Sequence, residues 1–334
     1  MVWRALVVAG AMSVWAAHET WREVYDPACM PVTARRIGAS LPADAIVGEV
    51  VEAIRVEEGA AARGGAVRSR LYSVLSWTTN GATARDGGIV LDNGDQVDAL
   101  ARGLVVGTTE IRNEILQTAD RVAPGLRARL AEGLGACLRD GSHSVVGKAA
   151  DVIRRVGVVD DAGRELLWEL VERPWEANAA AWKSLEEWEA TMGGIAGFDG
   201  RVLHRVYAAG ARISCGEFDT DVERWGRLDA EGQRGAAMAV AVHVVSEHAP
   251  ALTDAQHRRA LGFVGGQLRA GGDGYVAADS LTIVMYLGAM TERAGADAEL
   301  RGALRECVGA AKGAGGFAAH AEALRQIEMV VGGE

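Results

Sequence analysis

One apolar pattern with helical spacing recurs along this chain, and it limits the possible folds more than any other feature. Leu100 and Leu104 are followed by Ile111, Ile115, Ala119 and Val122. Leu134 and Leu138 are followed by Val145, Ala149, Ile153 and Val156, and Leu166 and Leu170 by Ala177, Ala181, Leu185 and Trp188. Corresponding positions lie 34 and then 32 residues apart. Apolar residues three and four apart line one face of a helix, so each unit reads as two helices across a short turn. Asp140-Gly141-Ser142 supplies that turn in the second unit and Arg173-Pro174 in the third. A single pair of this size cannot bury its apolar face alone, so the pairs must stack. The expected fold class is all-α, an irregular α-solenoid of antiparallel helix pairs over residues 96–334.

The later helices are separated by their start and stop signals. They are expected at Arg201–Ile213, Ala236–Glu247, Ser280–Ala294, Asp297–Lys312 and Phe317–Val331, the last acting as an end cap. Between them, Thr253 and Gln256 form a capping box at the start of a helix that Gly271-Gly272 closes. The chain has 43 glycines and 6 prolines, which suits long helices punctuated by glycine breaks. Gly193–Gly200 and Gly313–Gly316 read as such breaks. A phosphate-binding loop needs its lysine after the glycines, whereas Lys312 precedes them.

Leu138-Arg139-Asp140-Gly141-Ser142-His143-Ser144-Val145-Val146-Gly147-Lys148-Ala149-Ala150 resembles the inter-helix turn and second helix of a HEAT repeat, of the armadillo/HEAT type. That family shows Asp, often followed by Pro, then Val-Arg and a small residue. Ile111-Arg112 keeps the Val-Arg-like pair and Pro174 stands where the family's proline would. Val145-Val146 and Ala177-Asn178 depart from the pattern. The resemblance spans about residues 97–190 in degenerate form. It implies a scaffolding and protein-binding role, usually without catalysis.

Residues 1–17 combine a single charge, Arg4, with the uncharged run Ala5–Ala17 and the ending Val14-Trp15-Ala16. This predicts a signal peptide or N-terminal anchor, hence export to the periplasm or cell envelope. Were the same run an N-terminal core helix instead, the protein would be cytoplasmic. Residues 18–95 are expected to form an N-terminal helical region with a hairpin or loop insertion. Ser40–Gly59 reads as a helix with Ile46, Val47, Val50, Val51 and Ile54 on one face. Residues 67–95 carry the turn dipeptides Asn80-Gly81 and Asn93-Gly94, which fit either a hairpin or a loop.

The net charge of −10 is spread along the chain, and no segment is basic. The electrostatic footprint of a nucleic-acid binder is therefore missing, and no membrane contact is expected beyond the N-terminal anchor. Of 35 basic residues 32 are arginines, a bias that makes any single arginine weak grounds for guanidinium chemistry. Cys29, Cys137, Cys215 and Cys307 form no CxxC pair, and Cys137 and Cys307 sit at helical spacing among leucines, as small buried hydrophobes. No cofactor and no metal site is indicated.

Two sets of residues compete as functional candidates. Trp168, Trp175 and Trp182 recur every seven residues, with Trp188 beyond. They either pack the junction within the third unit, with Trp188 in its core stripe, or line a partner groove, where tryptophan is enriched. This favours a protein-binding or scaffolding module. The alternative is a hydrolase or lyase with an acid and histidine cleft drawn from His204, His243, Glu247 and the acids Glu217, Asp219, Asp221 and Glu223. His243 and Glu247 share a helix face, but His248 misses the i, i+4 spacing of helical zinc motifs. The 217–223 acids fail the calcium-loop pattern, with Arg224 in the glycine position, and read as a solvated acidic loop.

Overall fold

The computed structural model of the chain describes residues 91–92, 94–107, 109–192, 199–246 and 251–332. The leader at 1–17, the helix expected over 40–59, nearly all of the hairpin or loop at 67–95, and Glu247 and His248 lie outside the described residues. Cys29 does as well.

The described residues are all-helical and contain no strand. An isolated parallel bridge joins Leu91 to Val122. The helices are α1 (Gly94–Val106), α2 (Thr109–Leu116), α3 (Ala131–Cys137), α4 (His143–Val156), α5 (Asp161–Glu172), α6 (Ala179–Met192) and α7 (Gly200–Ser214). There follow α8 (Phe218–Trp225), α9 (Ala230–Val245), α10 (Asp254–Gly271), α11 (Ala277–Ala294), α12 (Ala298–Gly313) and α13 (Ala321–Gly332). The 3-10 turns Pro124–Leu130 and Gly315–His320 lead into α3 and α13.

Helix starts follow ordinary capping chemistry. Asp160, Asp199, Asp229 and Asp297 each accept a backbone N–H from the first turn of the helix they open. The Thr253–Gln256 capping box is formed as expected. An acceptor at this position satisfies one of the amides that a helix start leaves without a partner. α9 starts at Ala230, six residues before the start read from apolar spacing, because Asp229 caps a first turn that is polar on its outer side.

Most of the repeated apolar positions are buried, whereas Ala177 and Trp188 are only partly so. Leu100, Leu104, Ile115, Ala119 and Val122 join Leu134, Leu138, Val145, Ala149, Ile153 and Val156 in one continuous core with Leu166, Leu170 and Ala181. α1 packs on α3, α3 on α5, and α2 on α4. α3 and α5 come close enough to require glycine on both sides. A methyl group on Gly135 would lie 2.2 Å from Asp160 Oδ1, and one on Gly163 would lie 3.1 Å from the Gly135 Cα.

The third unit departs from the expected register. Its second helix is not continuous from Trp175. A single helical turn, Pro174–Ala177, ends at Asn178, and α6 begins after it. α7, not α6, packs most extensively on α4, and α7 also contacts α5 and α9. α6 lies beside this stack against α4 and α7. Beyond it α9 packs on α11, α11 on α13, α8 on α10 and α10 on α12. Trp188 is accordingly half-buried instead of belonging to the core.

Leu138→Ala opens a cavity at a fully enclosed site and should cost ~2–5 kcal/mol in a urea titration. Val106→Ala, at a position 70% exposed, should stay within ~0.5 kcal/mol of the parent. Equal effects at the two sites would mean that the helix register is wrong.

Candidate functional site

Asn178 makes the corner that carries the tryptophans. Its Nδ2 donates to the carbonyls of Leu138 (3.1 Å) and Asp140 (2.8 Å), in the turn between α3 and α4. Its Oδ1 accepts the Ala181 N–H at 3.1 Å and so caps α6. One side chain thus breaks the helix, restarts it and ties it to the turn between α3 and α4. The turn it grips is itself fixed, because the buried Asp140 accepts from Arg112 at 2.8 Å, Thr109 at 3.1 Å and the Ser142 N–H at 2.9 Å.

The tryptophans at seven-residue spacing meet a row of arginines, most of them from α7. Arg201 stacks over Trp182 at 5.7 Å, Arg205 over Trp175 at 5.6 Å, and Arg212 over Trp168 at 5.6 Å. Arg224 of α8 covers Trp168 at 3.5 Å. Guanidinium groups over indole faces gain from the ring quadrupole, most of all where water is excluded. Trp168 is 5% exposed, a core residue between two cations. Trp175 stands 41% exposed and meets Trp182 edge-on with ring centroids 6.2 Å apart. Trp182 is half-buried. The exposed part of the set is therefore Trp175 with the edge of Trp182.

The arginines are anchored by carboxylates. Arg205, 0% exposed, pairs with Asp229 through both of its terminal nitrogens. Burial works against the Asp229 carboxylate, but the Arg205 hydrogen bonds and the Gly232 N–H outweigh it and hold its pKa below the usual value. Arg212 pairs with Asp221 and donates to the Arg164 carbonyl at 2.6 Å. Asp221 is 1% exposed, and its desolvation raises its pKa against the opposing pull of Arg212. Asp219 and Glu223 pair with Arg259 of α10, and Glu217 with Arg164 and Arg212. The acids expected in a solvated loop instead belong to α8 and its cap and cross-link three helices. The sequence had discounted these arginines on composition. Their spacing of four and seven residues, which puts them on one side of α7, was the overlooked signal.

The candidate histidines His204 and His243 have different neighbours. His204 on α7 packs against His143 at the start of α4, ring centroids 6.1 Å apart. His143 Nδ1 lies 3.0 Å from Ser184 Oγ, and its ring stacks 5.5 Å from Trp188. A methyl group on Gly147 would fall 3.3 Å from His204 Nε2, so glycine there lets the imidazole reach α4. His243, on α9, is buried 3.5 Å from Ser214 Oγ, which already donates to the Arg154 carbonyl at 2.6 Å. His243 and the buried His257 are electrostatically coupled. Burial lowers the pKa of His204 to about 4, with His143 adding to the shift. Burial likewise lowers that of His257 to about 4, with Arg293 and His243 adding to it and Asp254 opposing.

Cavities and thiols offer little room for chemistry. Beneath α6 a cavity of about 10 Å³, lined by Leu170, Trp182, His204 and Ala208 among others, holds at most one water molecule. A broad depression of about 560 Å³ between α10 and α12 is lined by Arg269, Glu306 and small or apolar residues. Burial lifts the thiols of Cys137 and Cys307 to about 12, so they behave as small hydrophobes. Among the described residues no group of three His, Cys, Asp or Glu side chains could hold a metal ion, and no helix is long and apolar enough to cross a membrane.

Asp221→Ala would leave the buried Arg212 with only the longer pair to Glu217 at 3.6 Å, and should cost ~3 kcal/mol by chemical denaturation. Asp219→Ala, at an exposed pair, should cost less than ~1 kcal/mol. Similar values for both would show that the buried pair is not an anchor. The histidines set a pH dependence. His204 and His257 are neutral when folded down to about 4, whereas the unfolded chain takes up protons near 6.5. Stability is therefore complete above pH ~6.5 and falls as pH drops from 6.5 toward 4, by on the order of 2–3 kcal/mol for the buried His257. Thermal melts at pH 7.5 and 5 on the parent and on His257→Leu would detect this. A parent melting temperature that does not change between those pH values contradicts it.

Comparisons with protein families, with curated proteins and with solved structures find no match to this chain.

Proposed function

We propose that this chain is a protein-binding or scaffolding module, built as an irregular, HEAT-like α-solenoid of stacked helix pairs. The observation that carries the reading is Trp175. It is an exposed indole at the edge of a helix set outside the stack, held in place by the Asn178 hydrogen bonds and by Arg205 beneath the ring. Large aromatic side chains on rigid supports are typical anchors of protein interfaces because they bury much area at small entropic cost. The alternation in which α2, α4, α7, α9, α11 and α13 form one row of packed helices supports the solenoid part of the proposal. α1, α3 and α5, then α8, α10 and α12, would form the other.

The alternative reading, a hydrolase or lyase with an acid and histidine cleft, has less behind it among the described residues. His204 and His243 have different neighbours, and the 217–223 acids are held by arginines. Export remains part of the proposal, and N-terminal sequencing of protein from the host tests it. A mature start near Ala17 or His18 is expected, and intact Met1 or Val2 on a cytosolic species would reject it.

The binding reading is tested by quantitative capture from the host extract with the parent chain and Trp175→Ala at equal concentrations of folded protein. The variant should lose ~2 kcal/mol or more of partner affinity, with a melting temperature close to the parent's. Equal capture by both proteins would remove Trp175 from the interface and with it the residue-level basis of the proposal.

A further inference from the structure

Resting on the binding reading above, we infer that the partner presents a cationic, arginine- or lysine-bearing peptide segment to α5 and the Pro174–Ala177 turn that carries Trp175. Residues 161–192 carry eight acidic and three basic side chains, a net charge of −5 in a chain of −10. On α5 the acids are ordered. Asp161, Glu165, Glu169 and Glu172 are spaced four, four and three residues apart, which places them in one stripe along the helix. The first three are exposed and Glu172 partly so. The stripe runs on to Glu176, exposed beside Trp175. Arg173 is the cation at this end, and it already pairs with both Glu172 and Glu176. Among the described residues Glu165 and Glu169 have no ion-pair partner.

The aromatic end supplies what a carboxylate row alone lacks. The chain's own arginines already use the Trp175 and Trp182 rings as cation platforms, at 5.6 and 5.7 Å. Arg205 is fully buried while Trp175 is 41% exposed, so the part of the ring that Arg205 does not cover faces solvent. A peptide laid along α5 would put its cations on Glu165, Glu169 and Glu172 and its last cation on that exposed ring. Charge complementarity along the stripe and the cation–π geometry at its end select the same partner chemistry. An acidic or purely apolar segment would leave Glu165 and Glu169 desolvated without partners.

The test uses the full chain and fluorescence anisotropy of a labelled twelve-residue peptide with arginine at every third or fourth position. The same peptide with glutamate at every arginine position serves as control. Binding of the arginine peptide alone is expected, weakening as salt is raised. Trp175→Ala should weaken it at least tenfold, and so should the triple variant Glu165→Gln, Glu169→Gln, Glu172→Gln. The triple variant Glu132→Gln, Glu292→Gln, Glu306→Gln removes the same charge elsewhere and should change affinity less than twofold. Circular dichroism melts confirm that every variant is folded. Equal weakening by the two triple variants would overturn the inference, because attraction to net charge then explains the binding. So would undiminished binding by Trp175→Ala, or binding of the glutamate peptide. Trp175-dependent capture from the extract that excess arginine peptide does not compete would overturn the cationic partner alone and leave the binding reading standing. Capture independent of Trp175 would overturn both.

Discussion

The interaction on which the rest of this structure depends is the pairing of buried guanidinium groups on α7 with carboxylates on the helices that follow it. Arg205 and Arg212 are almost without solvent contact, so each needs a fixed counter-charge. Asp229 and Asp221 supply it, and both are positioned by secondary structure. Asp229 is the N-cap of α9, where it also accepts the Gly232 N–H, and Asp221 lies in the first turn of α8. Removing α8 or the start of α9 would leave a charge stranded in the core. This requirement fixes α7 against α8 and α9 more specifically than apolar contact does, because a carboxylate must meet the guanidinium plane in one orientation.

The same helix organises the tryptophans, two of them through these same arginines. α7 presents Arg201, Arg205 and Arg212 to rings that lie seven residues apart on α5, the Pro174 turn and α6. The three indoles then differ in burial according to where their own backbone runs. Trp168 sits in the middle of α5 and is sealed by Arg224 from above. Trp175 sits on a one-turn helix that Asn178 cuts short, and the chain turns away before it can cover the ring. An exposed aromatic thus follows from a break in the helix, and the break follows from hydrogen bonds that reach back to the carbonyls of the α3–α4 turn.

Much of this was legible in the sequence where local spacing alone decides the outcome. The apolar positions at 34- and 32-residue offsets specified helices and a shared core, since a helical stripe three and four residues apart has one face to bury whatever it packs against. Capping signals placed helix starts for the same reason: Thr253 with Gln256 satisfies amides of its own first turn. Leu138, Ile153 and Cys307 could be assigned to the interior without knowing their neighbours.

Tertiary structure decided the rest. It decided that α7 and not α6 packs most extensively on α4, because Asn178 bonds to a turn about forty residues earlier and draws α6 aside. It also decided that Trp188 rests half-buried against His143, whereas the periodic reading placed it in the core. The arginines were the hardest to read. Thirty-two of them along one chain look like a coding bias, and a buried, paired guanidinium has the same one-dimensional signature as a solvated one. Only the partner carboxylate distinguishes the two, and Asp229 is 24 residues from Arg205 in sequence. Helix formation is set by neighbours within a turn or two and was therefore determined by the sequence alone. Burial of charge depends on which distant groups arrive at the same place, and that is settled only when the helices have packed.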